Sequence, residues 1–307
     1  MDADIVPVDS DSWPELPLAT WQPTYSTLHM WTQIVGKIRL ALSPKINHWW
    51  EVPFYVNALG LTTSPIPYSA GIFEVQFDFI HHKLLIETSH AATKTLDLAP
   101  RSVADFYREF MAALASLGIE VKIWKMPVEI PHPIPFDQDT EHASYNAEFV
   151  ERFWRILVSC DTVFKEFRAR FIGKASPSHF FWGSFDLAIT RFSGRRAPAR
   201  EGADPVTREA YSHEEISAGW WPGSGDIQQA AFYCYAAPEP MGFAQHSVHP
   251  AQAFYHPQLN EFLLMYDDVR QSPDPRVRLL EFLDSAYAAG AELGGWNRWE
   301  LERQPGS

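Results

Sequence analysis

The chain has 307 residues, 46% hydrophobic and 21% charged, with a formal net charge of −13. That balance buries an ordinary core, and the acidic excess argues against a nucleic-acid partner, whose phosphates call for a basic face. No apolar run approaches the roughly 20 residues that span a bilayer, so no membrane partner is expected. The unusual figure is the aromatic content: 12 Trp, 21 Phe and 11 Tyr. Large rings dominate both cores and binding sites, so the excess fits a rigid core or an aromatic cavity. Cys160 and Cys234 sit in separate apolar segments, which reads as two buried free thiols rather than a disulfide framework.

Residues 1–17 are acidic, lack the apolar core of a signal peptide, and read as a flexible arm. Cytoplasmic localisation is the expectation. A first α+β half is expected over 18–126. Its opening helix, 24–42, follows from Leu28, Trp31, Val35, Ile38 and Leu42 at helical spacing. His29, Gln33 and Lys37 form a polar line on another face, read as solvated, with Gly36 beside it allowing a close approach to the backbone. Residues 52–62 look extended. The alternation of Phe73, Val75, Phe77 and Phe79 with Glu74, Gln76 and Asp78 predicts a half-buried strand over 72–79. Strands at 83–88 and 95–98 continue the sheet, with a turn at His81-His82. A helix over 103–117 carries Ser102 as its N-cap, Asp105 three residues on, and Gly118 as its stop. A strand at 120–125 follows.

The stretch MPVEIPHPIPFDQD has Pro127, Pro131, Pro133 and Pro135, which exclude helix and central strand. A semi-rigid strap over 127–146 is therefore expected to join the first half to a second, 147–300. There a helix over 147–171, strands at 179–192, 230–236 and 261–266, and a helix over 276–293 capped by Asp274 repeat the order of the first half. Residues 194–227 read as a long loop whose Trp220-Trp221 pair suits a lid, and 301–307 as a tail. The fold class is thus α+β: two pseudo-repeated halves, each of antiparallel strands packed with helices.

The words LHMWTQIVGKIRLAL, NHWWEVPFYV, LTTSPIPY, MPVEIPHPIPFDQD, FRARFIGKASPSHFFWGSFDLAITRFSGR and GWWPG, taken together, resemble the uncharacterised bacterial and fungal proteins grouped as domain of unknown function 5996. The resemblance runs from about Leu16 to the C-terminus. It implies one family unit over that length and brings no activity, substrate or cofactor.

The candidate site rests on His and carboxylates set among rings. In NHWWEVPFY, His48, Trp49, Trp50 and Tyr55 suit a box that stacks a planar or cationic ligand. A regular strand over 179–192 would put Trp182, Ser184 and Asp186 on one face, with His179, Phe181, Phe185 and Arg191 on the other, unless Gly183 makes a bulge. A Ser-His-Asp triad from that strand is disfavoured, and Ser184 lacks the nucleophile-elbow context. His213 beside Glu214 offers an acid/base pair. His142 and Tyr145 stand before a helix N-terminus. The DQDTEHASYNAE segment matches an EF-hand loop only in part, since His142 stands where Gly is needed. His246, His249 and His256 have no recognised metal spacing, and no metal site is assigned. No Walker loop or Gly-x-Gly-x-x-Gly is present, so no nucleotide or organic cofactor is indicated.

The reading is therefore a small-molecule pocket between two halves. Its expected catalytic groups are His179, His213, Glu214 and Asp186. Its expected ligand-binding groups are His48, Trp49, Trp50, Tyr55, His142, Tyr145, Phe181 and Trp182. The alternative is a structural or protein-interaction module whose rings are simply core.

Overall fold

A computed structural model describes residues 12–304. The fold is α+β, with two antiparallel sheets and helices packed on them. Helix α1, Leu18–Leu42, starts a turn and a half earlier than its apolar spacing predicts. Pro23 lies inside it, as the sixth residue, past the first turn whose N–H groups have no intrahelical partner, so the helix forgoes one i→i−4 bond there. Then come β1 (Tyr55–Val56), β2 (Gly60–Thr62), β3 (Ile66–Tyr68), β4 (Gly71–Asp78), β5 (Lys83–Thr88) and β6 (Thr93–Asp97). They form a sheet of order β1-β2-β4-β5-β6, with β3 also pairing β4. Phe73, Val75 and Phe77 on β4 are buried, as their alternation predicts. Helix α2, Val103–Ser116, begins at Ser102, whose hydroxyl accepts from the Asp105 N–H, and Gly118 at φ +74° follows it.

Residues 120–125, expected as a strand, form none. Val121 and Ile123 pack on the core, but no neighbouring strand pairs with their backbone, so the alternation marks a half-buried extended edge. The Pro-rich stretch after it has no regular element. Its far end serves α2: the Asp139 and His142 carbonyls accept from the Ala104 and Val103 N–H groups.

Helix α3, Ala147–Ala169, is capped by Asn146. Strands β7 (His179–Phe181) and β8 (Asp186–Arg196), helix α4 (Pro205–Ala210), and strands β9 (His213–Trp221), β10 (Ala231–Ala237), β11 (Phe254–His256) and β12 (Glu261–Met265) follow. The second sheet has the order β11-β12-β10-β9-β8-β7. Short helix α5 (Tyr266–Arg270), long helix α6 (Pro275–Leu293, capped by Asp274) and α7 (Arg298–Leu301) close the described chain. No described helix is long and apolar enough to cross a membrane.

Two expectations need correction. The single strand over 179–192 is a hairpin: Phe181 pairs with Asp186, and Phe185 turns the chain at φ +58°. The loop over 194–227 contains α4 and β9, and β9 lies between β8 and β10 inside the sheet. Trp220 therefore covers no surface; it is fully buried. Residues 1–11 of the expected acidic arm lie outside the described residues, while Trp13 and Leu16 from its end are buried in the core. The sheets meet edge to edge: Phe54, before β1, and Phe180 of β7 exchange backbone hydrogen bonds of 2.8 and 2.9 Å.

Candidate functional site

Helices α3 and α6 pack on one face of the second sheet, against Leu187 and Ile189 of β8, Ile216, Ala218 and Trp220 of β9, and Phe232 and Cys234 of β10, all buried. Strand alternation sends the intervening residues to the opposite face, and there a cavity of about 640 Å³ opens. Its floor is Asp186, Ala188, Thr190 and Phe192 of β8, Glu215 and Ser217 of β9, and Tyr233 and Tyr235 of β10.

Gly219 shapes this floor. It stands between Ala188 and Tyr233 in register, and a Cβ there would overlap the Tyr233 ring. Without one, that ring crosses β9, and its hydroxyl donates to the carboxylate of Asp186 two strands away. Ser184 Oγ donates to the other Asp186 oxygen. Burial raises the Asp186 pKa above the usual carboxylate range, and these two hydroxyls pull it back down. A second polar row follows, with Thr190 Oγ1 3.0 Å from Ser217 Oγ and the Tyr211 and Tyr235 hydroxyls 3.2 Å apart. Glu215, only 6% exposed, ends the floor. Burial pushes its pKa up to about 8, against the pull of Arg200 and Lys174.

One wall is the β7–β8 turn with Val128 and Glu129 of the strap. The polar line of α1, expected to be solvated, is buried and fixes this wall. His29 Nε2–H donates to the Trp182 and Gly183 carbonyls at 3.0 and 2.9 Å, and burial lowers its pKa to about 4, keeping the ring neutral. Gln33 clamps Val128 through both amide atoms, at 2.8 and 2.9 Å. Gly36 allows the close approach its place suggests: a Cβ there would overlap the Trp182 indole, whose Nε1–H donates to the Val52 carbonyl at 2.9 Å.

The opposite wall is a 3-10 turn, Asn47–Trp49, together with α4. His48 and Trp49 hold φ values of +62° and +60°, a conformation that costs energy in residues with a Cβ. The turn is fixed by the His48 Nδ1–H, which donates to the Ala210 carbonyl at 2.8 Å. Burial lowers the His48 pKa, and its bond to Ala210 opposes this.

Of the residues expected at a site, the cavity gathers His48, Trp49, Trp50, Phe181, Trp182 and Asp186. His179 lies behind this wall, 1% exposed, wedged between the Trp50, Tyr55 and Phe181 rings at centroid distances of 5.3–5.7 Å. Burial depresses its pKa to about 3. Tyr55 sits beside it and not on the cavity. His213 packs its ring 5.4 Å from His48. Glu214 pairs with Arg195 and accepts from Ser193. His142 bonds the Asp139 carboxylate at 2.8 Å, and the Tyr145 hydroxyl meets His82 at 2.9 Å, both apart from the cavity. The His246 and His256 rings bond the nearby Ser247 carbonyl and Leu259 N–H, the His249 backbone N–H donates to Ser285 Oγ of α6, and among the described residues no group of three or more His, Cys, Asp or Glu is placed to hold a metal ion.

The sequence reading missed Glu215, Ser217, Tyr211, Tyr233 and Tyr235. A signal was available. In HEEISAGWW and AFYCYAA, small or apolar residues alternate with Glu, Ser and Tyr, as on a strand with one greasy and one polar face.

The model of the family described as "Family of unknown function (DUF5996)" matches residues 13–303, and the chain belongs to that family. No curated protein and no solved structure matches the chain.

Proposed function

Within a family whose description assigns no activity, we propose that this protein binds a small organic molecule in the cavity on the second sheet. The observation that carries the proposal is a hollow of about 640 Å³ walled by Trp49, Trp50, Phe181 and Trp182, with the buried acids Asp186 and Glu215 in its floor. Its size falls in the range of about 300–1,000 Å³ common to ligand pockets, and apolar walls with a few converging polar groups are the usual form of such sites. The floor is also preorganised: Gly219 gives up a side chain so that Tyr233 can reach Asp186. Acid/base chemistry by His179, His213 and Glu214 draws no support from this arrangement, because none of the three lines the cavity.

The test combines native mass spectrometry of freshly purified protein with quenching of tryptophan fluorescence by a panel of planar and cationic metabolites. A retained small molecule released on denaturation, or saturable quenching that weakens in Trp50→Ala, is the expected result. A bare polypeptide mass together with no saturable quenching up to millimolar concentrations would overturn the proposal.

A further inference from the structure

We infer that the molecule this cavity accepts carries a protonated nitrogen, a primary or secondary ammonium on an apolar or aromatic body, and that the Glu215 carboxyl group recognises it. The inference rests on reading the cavity as a ligand pocket and names the chemistry of that ligand.

Four acids line the cavity, and three are accounted for. Asp186 accepts from Ser184 and Tyr233. Asp204 caps α4, accepting from the Val206 and Thr207 N–H groups at 2.8 and 3.1 Å and from the Thr207 hydroxyl at 2.6 Å. Glu129 is at the solvent-exposed rim. Glu215 differs: it is only 6% exposed, its side faces the cavity, and no donor among the described residues reaches its carboxyl group. An acid buried without a partner is costly, and a Gln or an apolar residue would be cheaper there. That cost is accounted for if a donor arrives with the ligand.

The surroundings favour a cation. Phe192 is its cross-strand neighbour, and Tyr211 and Tyr235 are close enough to Glu215 to feel its charge. Rings of this kind already hold the protein's own cations: Lys174 Nζ lies 5.0 Å from the Trp50 centroid and 4.9 Å from that of Phe192, and the Arg200 guanidinium lies 4.0 Å from Tyr211. Lys174 and Arg200 both pull on Glu215, yet neither forms an ion pair with it among the described residues. The charged and titratable groups facing Glu215 are thus Lys174, Arg200, Tyr211 and Tyr235. In this setting the carboxyl group titrates near 8, so an incoming ammonium displaces its proton, and binding at pH 7 releases protons.

Three probes of similar shape separate the possibilities: 2-phenylethylamine, 2-phenylethanol and 3-phenylpropanoate. Each is titrated calorimetrically into the full chain at pH 7, in two buffers of different ionisation enthalpy. The amine should bind at least tenfold more tightly than the alcohol and the carboxylate, with release of protons. Glu215→Gln should abolish both the preference and the release. Glu214→Gln, which alters the neighbouring acid outside the cavity, should keep both. Melting curves report whether the variants fold, and Glu215→Asp, shortened by one methylene, gives a second reading: amine affinity falls severalfold while alcohol affinity holds. Equal binding of alcohol and amine, tighter binding of the carboxylate, or a preference that survives in Glu215→Gln would overturn recognition by Glu215 and leave the pocket standing. If no probe binds and the protein retains no molecule in native mass spectrometry, both readings fall together.

Discussion

Glu215 places a titratable group where water is scarce, and its energetic consequence can be measured without any ligand. An ordinary glutamate titrates near 4.5, whereas burial raises this one to about 8 in the folded chain. Between those values the folded chain keeps a proton that the unfolded chain has released. Stability therefore falls as pH rises through that window. Glu215→Gln removes the titration while preserving shape. Its melting temperature should match the parent's below pH 4.5 and exceed it from pH 8 upward. A variant less stable than the parent at pH 8.5 would show that Lys174 and Arg200 stabilise the carboxylate more than burial penalises it. The neighbouring acid, Asp186, illustrates the other way to bury a carboxyl group, with two hydroxyl donors brought to it, one across a glycine.

Among the elements, α4 is the part of the cavity with the least to hold it. Its six residues include none that is buried, and the His48 bond to the Ala210 carbonyl ties it to the 3-10 turn. His48→Ala should speed amide hydrogen exchange over 205–211 by about tenfold, the effect of losing roughly 1.4 kcal/mol from one hydrogen bond and its packing. Exchange in α3 should be unaffected; equal acceleration there would mean that His48 supports the whole fold rather than this cover. How much of this was legible depends on the kind of signal. Helix α2 and the caps of α3 and α6 follow from local chemistry, Ser102, Asn146 and Asp274 each bonding a nearby N–H. The aromatic words around His48 and Trp182 marked the cavity walls because polar groups among large rings are expensive unless they have a task. Two things were hidden. The β7–β8 turn has no Asn-Gly or Asp-Gly, and its positive φ falls on Phe185, a residue whose choice reflects packing against Tyr25 and Phe153. The polar line on α1 looks like a solvated face because its partners, the Val128, Trp182 and Gly183 backbones, lie some 95 to 154 residues away, beyond any local pattern.

At the scale of the molecule, the sequence suggests two halves, while the packing ties the two sheets to one interior. Phe153 of α3 shows how. Its ring contacts Trp21 of α1 at 5.5 Å and Phe79 beside the first sheet at 6.3 Å. It also contacts Phe180, Phe185 and Trp220 of the second sheet region at 6.1, 5.1 and 6.0 Å. The Phe54–Phe180 backbone pair joins the sheet edges beside it. A side chain shared this way couples the stabilities of everything it touches, so neither sheet can lose its packing while the other keeps it. Phe153→Ala leaves a cavity at the junction and should cost about 3–5 kcal/mol. The loss should appear as one transition at lower temperature, with calorimetric and van't Hoff enthalpies still equal. Tryptophan fluorescence, which reports on Trp21 and Trp31 of α1 as well as on Trp220 of the second sheet and Trp182 of the cavity wall, should follow the same curve as far-ultraviolet circular dichroism. Two separated transitions in the parent protein, or a Phe153→Ala variant that melts one sheet early and spares the other, would show that the halves fold as independent units and that the cavity belongs to the second alone.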